Sequence, residues 1–242
     1  MKRNIVCDLG NTLCKLAIFE ESNIIARKHF ENLTETELDE FIGSQKLNGS
    51  IISSVINQET FINNRLSKEK KFINLSKDTN LPISLNYKTP ETLGNDRIAN
   101  AVAANALFPD ADVLVIDCGT CIKYDFVTER NVYQGGAISP GLKMRFKALH
   151  DFTQKLPLVE DAENFSLIGK STIESIMSGV MNGMINEMEG FIEKYSNNYK
   201  NLTVILTGGD LTYFEKAFKK PIFAHSFLTL LGLNEILLFN QE

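Results

Sequence analysis

Asp8-Leu9-Gly10-Asn11-Thr12-Leu13-Cys14-Lys15 returns half a chain length later as Asp117-Cys118-Gly119-Thr120-Cys121-Ile122-Lys123, with a single gap at Asn11. Each copy has Asp before a glycine, Thr after it, and Lys three residues beyond the Thr. Strand candidates flank both: Asn4–Cys7 and Leu13–Phe19 around the first, 113–116 and 122–127 around the second. A third strand follows each pair, at Asn23–Phe30 and 132–138. A strand–turn–strand unit repeated at this distance predicts two related α/β lobes, residues 1–111 and 112–242.

The turns have the chemistry of phosphate sites. Gly10 and Gly119 lack a Cβ, so backbone N–H groups come close to an anion. Thr12 and Thr120 add hydroxyl donors. Asp8 and Asp117 repel phosphate directly, but carboxylates suit a cation that holds it. A third turn, Thr207-Gly208-Gly209-Asp210, lies between an apolar strand and a helix, where a flat ring or sugar has room against the backbone.

Between these turns the pattern is regular. Thr34 with Glu37 three residues on reads as a capping box opening a helix. Residues 49–55 read as strand, 57–66 as helix, and Ala-rich 96–107 as helix. Pro82 and Pro90 break the period between residues 78 and 93. Helices are expected at 141–150, 171–195 and 227–239. In the second of these, Ile173, Ile176, Met177, Val180, Met184, Met188, Phe191 and Ile192 recur at helical spacing, as core or as a subunit contact.

Composition narrows the class. The 242 residues are 43% hydrophobic and 23% charged, ordinary globular usage that argues against disorder. A net charge of −5 argues against a general nucleic-acid binder. No apolar run reaches membrane-spanning length, and the opening residues do not form a secretory signal, so a cytoplasmic location with no membrane partner is expected. Reduced thiols then follow for Cys7, Cys14, Cys118 and Cys121. Cys118 and Cys121 form C-x-x-C, but a strand follows it where a redox site has a helix. His29, His150 and His225 lack zinc-ligand spacing. Gly169-Lys170-Ser171-Thr172 ends like a P-loop, but Asn164 stands where the first glycine belongs.

The three turns, in order, resemble the two phosphate elements and the adenosine element of the actin, sugar kinase and Hsp70 fold. That likeness implies an actin-like ATPase (ribonuclease H-like) α/β fold with an ATP cleft between its lobes. Within it the chain resembles the type III pantothenate kinases over nearly its whole length. The matches are Asp8 to Thr12, Gly94-Asn95-Asp96-Arg97, Asp117 to Thr120, Gly135-Gly136-Ala137-Ile138-Ser139-Pro140-Gly141, Leu156-Pro157-Leu158-Val159 and Ser171-Thr172.

The resemblance implies ATP-dependent phosphorylation of the primary hydroxyl of pantothenate, the first committed step towards coenzyme A. Asp8 to Lys15 would hold the phosphates of Mg²⁺-ATP, with Asp8 toward the metal and Thr120 adding a contact. Asp96 would be the catalytic base. Tyr87, Gly94, Asn95, Asp96, Arg97 and Thr172 correspond to pantothenate contacts, and Asp117 to the ligand of a monovalent cation, K⁺ or NH₄⁺. A homodimer is also implied, with both subunits shaping the pantothenate site and the stripe at Met177–Met188 a candidate contact. A same-fold kinase for another small acceptor, or a non-catalytic nucleotide-binding regulator, are the competing readings; ADP release with pantothenate, sugars and acetate separates them.

Two positions depart from the family pattern, Asp-x-Gly-Thr-Ala-x-Thr. Cys121 replaces Ala, a small change. Lys123 replaces Thr and brings an ammonium to the expected cation site, where like charges compete. Lys123 is therefore expected to replace the cation partly or wholly, unless its side chain points to solvent.

Overall fold

The structure is a computed structural model that describes residues 2–10, 13–54, 60–162, 164–218 and 221–241. The described residues form two compact units. The first contains residues 1–109, 131–133 and 227–242; the second contains 110–130 and 134–226.

In the first unit, β1 (Arg3–Leu9), β2 (Cys14–Glu20) and β3 (Asn23–Phe30) form an antiparallel meander, and β4 (Gly49–Ser54) and β5 (Phe72–Asn74) add in parallel. The order is β3-β2-β1-β4-β5. Asn4 to Cys7 are all buried, as befits a central strand covered on both faces. One core joins Ile5, Cys7, Leu9, Leu16 and Ile52 to α1 (Glu35–Ile42) and α2 (Thr60–Leu66). The expected capping box of α1 is present: Thr34 Oγ1 accepts from Glu37 N, and Glu37 accepts from Thr34 N at 2.9 Å. Residues 55 and 57–59 of the expected strand and helix, like Asn11 and Thr12, lie outside the described residues.

The same unit holds α3 (Asn95–Leu107) and α7 (Leu228–Phe239), packed together, with α7 also on β1 and β4. The alanines of α3 permit this approach. Gly232 lies so close to the Ala99 carbonyl that a Cβ there would overlap it. Buried polar groups of both helices are paired: Thr229 Oγ1 donates to Asn100 Oδ1 across the contact at 2.9 Å, and Asn234 Nδ2 donates to the Glu21 carbonyl in the turn after β2 at 2.8 Å.

The second unit repeats the plan. The strands β7 (Val113–Cys118), β8 (Cys121–Thr128) and β9 (Val132–Pro140) are followed by β10 (Thr203–Thr207) and β11 (Phe223–Ala224), parallel to β7 and to β10 respectively. Their order, β9-β8-β7-β10-β11, matches that of the first sheet strand for strand. A short strand, β6 (Ser84–Leu85), pairs in parallel with Val132 and Tyr133, the part of β9 that belongs to the first unit.

Helices α4 (Leu142–Asp151) and α5 (Thr172–Asn198) pack with this sheet, and the four-residue α6 (Leu211–Phe214) follows β10. The apolar stripe of α5 is core: Ile176, Val180, Met184, Met188 and Ile192 are buried. With Met181 also fully buried, the methionines at the centre of α5 face their own unit and are not available as a subunit contact. Ile173 alone of the stripe is exposed. Among the described residues no helix is long and apolar enough to cross a membrane.

Candidate functional site

Both repeated turns are hairpins with the same register at the neck. Asp8 faces Lys15 across β1 and β2, and Asp117 faces Lys123 across β7 and β8. Asp8 and Asp117 are thus the late residues of strands, not members of a loop. The first hairpin is closed by Gly10 N donating to the Leu13 carbonyl at 3.1 Å, the second by Gly119 N donating to that of Cys121, also at 3.1 Å.

In the first hairpin Asp8 is half-buried, next to Ser53 on the parallel neighbour β4. Burial, with the Asp8 carboxylate adding to it, pushes the Cys14 thiol up to about 12. Burial likewise raises Cys7. Both thiols stay neutral, so Asp8 supplies the negative charge at this neck and is a hard oxygen donor suited to Mg²⁺.

The second hairpin contains an ion pair. Lys123 Nζ lies 2.7 Å from Asp117 Oδ2, with the two side chains 17% and 10% exposed. Lys123 therefore points at the carboxylate, not at solvent. Gly208 lies beside Asp117. Its φ of +102° favours glycine, and a Cβ there would stand 2.6 Å from Asp117 Oδ1. Asp210 N donates to the Cys118 carbonyl at 2.9 Å, tying the Gly208–Asp210 turn to the hairpin. Burial raises the Asp210 carboxyl, and Asp117 raises it further while Lys143 opposes. The helix expected after this turn is only α6, one turn long, so it offers no helix-terminus field for an anion.

The Gly135–Gly141 element packs against the same hairpin. Gly141 N donates to the Thr120 carbonyl at 3.2 Å. Beyond it lies a network with no local sequence signal. Arg145 of α4 donates to the Pro140 carbonyl and to Ser139 Oγ, both at 2.8 Å, and pairs with Glu187 of α5 at 2.6 Å. Glu187 Oε1 accepts from Tyr124 Oη at 2.8 Å. Burial pushes the Glu187 carboxyl up, but hydrogen bonds from Arg145, Tyr124 and Ser139 outweigh it and hold the group below its ordinary value.

The first unit gathers Asp96, Arg97 and Tyr87. Gly94 caps α3 without a side chain, and a Cβ there would stand 2.5 Å from Asp96 Oδ1. That oxygen accepts Arg97 N at 2.9 Å, and Asn95 Nδ2 donates to the Leu75 carbonyl at 3.3 Å. The buried Arg97 guanidinium stands 5.8 Å from the Tyr87 ring centre and 5.9 Å from that of Tyr133. Tyr133 was not legible as a site residue, because it reaches Arg97 only through the pairing of β6 with β9.

Thr172 is the first residue of α5, and its side chain is exposed. Just before it, the P-loop-like Gly169–Thr172 is an ordinary helix start. Ser171 Oγ accepts from Glu174 N at 3.2 Å, and Glu174 accepts from Lys170 N at 2.6 Å. All four cysteines are free thiols, and Cys121 alone is partly exposed. Among the described residues no cluster of metal-ligating side chains occurs.

Two sheets of matching order, each entered through an Asp–Gly hairpin, define the actin-like ATPase fold, and solved structures of low sequence identity share it. A Baf family protein from Campylobacter jejuni aligns with TM-score 0.65 and 20% identity over 98% of both chains. Glucokinase from an Antarctic psychrotroph aligns with TM-score 0.54 and 12% identity over 99% of both. The 2-hydroxyisocaproyl-CoA dehydratase activator from Clostridium difficile, with bound ADPNP, gives 0.58 and 12%, covering 98% of this chain and 95% of that one.

Sequence relatives narrow the class. The chain belongs to the type III pantothenate kinase family, whose profile matches residues 4–194. Type III pantothenate kinase from Christiangramia forsetii is 44% identical, covering 98% of this chain and 99% of its own. That from Cytophaga hutchinsonii is 46% identical with the same coverage.

Proposed function

We propose that this protein transfers the γ-phosphoryl group of ATP to the primary hydroxyl of pantothenate, with Asp96 as the base. Family membership carries the reaction and its substrates, ATP with a divalent metal, and pantothenate. The observation that carries the residue assignment is the grouping of Asp96, Arg97 and Tyr87 at the first turn of α3. The pantothenate hydroxyl oxygen attacks the γ-phosphorus, its proton passes to the Asp96 carboxylate, and the bond to the β-phosphate oxygen breaks to release ADP. Such a base contributes about 10²–10⁴-fold, with positioning and charge stabilisation supplying most of the remainder.

Arg97, buried with its guanidinium 5.8 and 5.9 Å from the two tyrosine ring centres, presents a cation suited to a carboxylate or to the transferring phosphoryl group. Tyr87, Gly94, Asn95 and Thr172 complete the assigned pantothenate contacts. Asp8, Leu9, Gly10, Asn11, Thr12, Leu13, Cys14 and Lys15, with Thr120, are assigned to ATP. Asp8 is placed toward the divalent metal, which when bound would neutralise phosphate charge. Asp117 takes the position of the family's monovalent-cation ligand. The working form is assigned as a homodimer; Leu167, Ile168 and Ile173, exposed beside Thr172, supply apolar surface for it.

The test is ADP release from ATP with pantothenate, sugars or acetate as acceptor. Turnover confined to pantothenate is expected. Turnover on a sugar instead overturns the acceptor, and tight ATP binding with no turnover on any of them overturns the kinase reading.

A further inference from the structure

The family's monovalent cation does not fit this chain, because the carboxylate it would use already holds a cation. We infer that the Lys123 ammonium is a tethered replacement for the free ion, so that the protein works without added K⁺ or NH₄⁺. This rests on the assignment of the Asp117–Thr120 hairpin to ATP.

Register is the first argument. Asp117 and Lys123 are direct partners across β7 and β8, and the 2.7 Å pair is mostly withdrawn from water. A second cation on that carboxylate would sit beside an ammonium where water screens poorly. The surroundings give the second argument. The Gly208 backbone lies beside Asp117 Oδ1, so near that a Cβ there would stand 2.6 Å from it. Competition is the third. A free alkali ion has to arrive from bulk solution and shed hydration, whereas Lys123 is held in place by the strand pair. The function of the charge follows. An uncompensated Asp117 would repel a polyphosphate approaching Gly119 and Thr120; the ammonium cancels that repulsion permanently.

The experiment holds ionic strength with tetramethylammonium chloride and reads both ATP affinity, by calorimetry, and turnover. Addition of K⁺ or NH₄⁺ is expected to change either quantity in the wild type by less than about twofold, since no ion binds. Lys123→Met is expected to weaken ATP binding by about tenfold or more in tetramethylammonium. NH₄⁺ is expected to restore it, and Lys123→Arg to retain most of the wild-type affinity. A wild type whose ATP affinity rises about tenfold or more with K⁺ or NH₄⁺ overturns the inference without need of any variant. So does a folded Lys123→Met that binds ATP as tightly as the wild type without either ion. Absence of turnover with every acceptor, alongside the expected ATP-binding pattern, would sink the kinase reading and leave the role of Lys123 standing.

Discussion

Asp96 Oδ1 occupies the space that any side chain on Gly94 would need: a Cβ there would stand 2.5 Å away. The backbone of Gly94, at φ −61° and ψ 136°, is open to every residue, so glycine is required by the carboxylate and not by the dihedral angles. Gly94→Ala is therefore expected to fold, with Tm within about 3 °C of the wild type. It should lower kcat by about 10- to 100-fold by moving the base. Thermal melts and steady-state kinetics on one preparation check both.

Removing the base itself separates binding from chemistry. Asp96→Asn keeps shape and the hydrogen bond to Arg97 N but accepts no proton. Its kcat is expected to fall by about 10²–10⁴-fold. ATP affinity, measured by calorimetry, is expected to be unchanged, because the residues assigned to ATP are untouched.

The Tyr124–Glu187–Arg145 network gives a pH signature. Glu187 is held below the ordinary glutamate value of about 4.5, so its ionised form stabilises the fold. The stability difference between wild type and Glu187→Gln is expected to be fully present above that value, at about 1–3 kcal/mol. It should disappear as pH falls through the lower value of the folded state. Urea titrations across the acid range test the sign.

Tight packing of α3 on α7 makes Gly232→Ala an overpacking change against the Ala99 carbonyl. It is expected to cost about 1–3 kcal/mol in urea denaturation.

Cysteine accessibility gives a simple readout. Cys7, Cys14 and Cys118 are buried with raised thiols, so a thiol reagent should modify Cys121 alone in the native protein and all four after denaturation. Mass spectrometry counts the adducts.

What the sequence revealed and what it hid follow from the range of the interactions. The twin hairpins, the Thr34–Glu37 box and the α5 stripe are local patterns, and each lies where its residues predicted. Strand ends were less legible: Asp117, Cys118 and Thr207 read as turn residues, but Asp117 and Thr207 are parallel partners across β7 and β10, and Cys118 is paired with Ile122 on β8. The Tyr133 contact with Arg97, the Arg145–Glu187 pair and the docking of α7 on β1 join residues far apart in the chain, and periodicity does not register them. The Lys123 ion pair was legible only because an unusual residue stood in a known pattern.

The docking of α7 against β1 and β4 also bears on biosynthesis. Asn4 is buried and bonded to Asn234 and Gln241, so the amino-terminal sheet lacks a covering layer until some 230 further residues have been made. On the ribosome, the unit translated first is completed last. Its hydrophobic surface waits for the tail, and a stalled or clipped nascent chain would leave that sheet a target for chaperones.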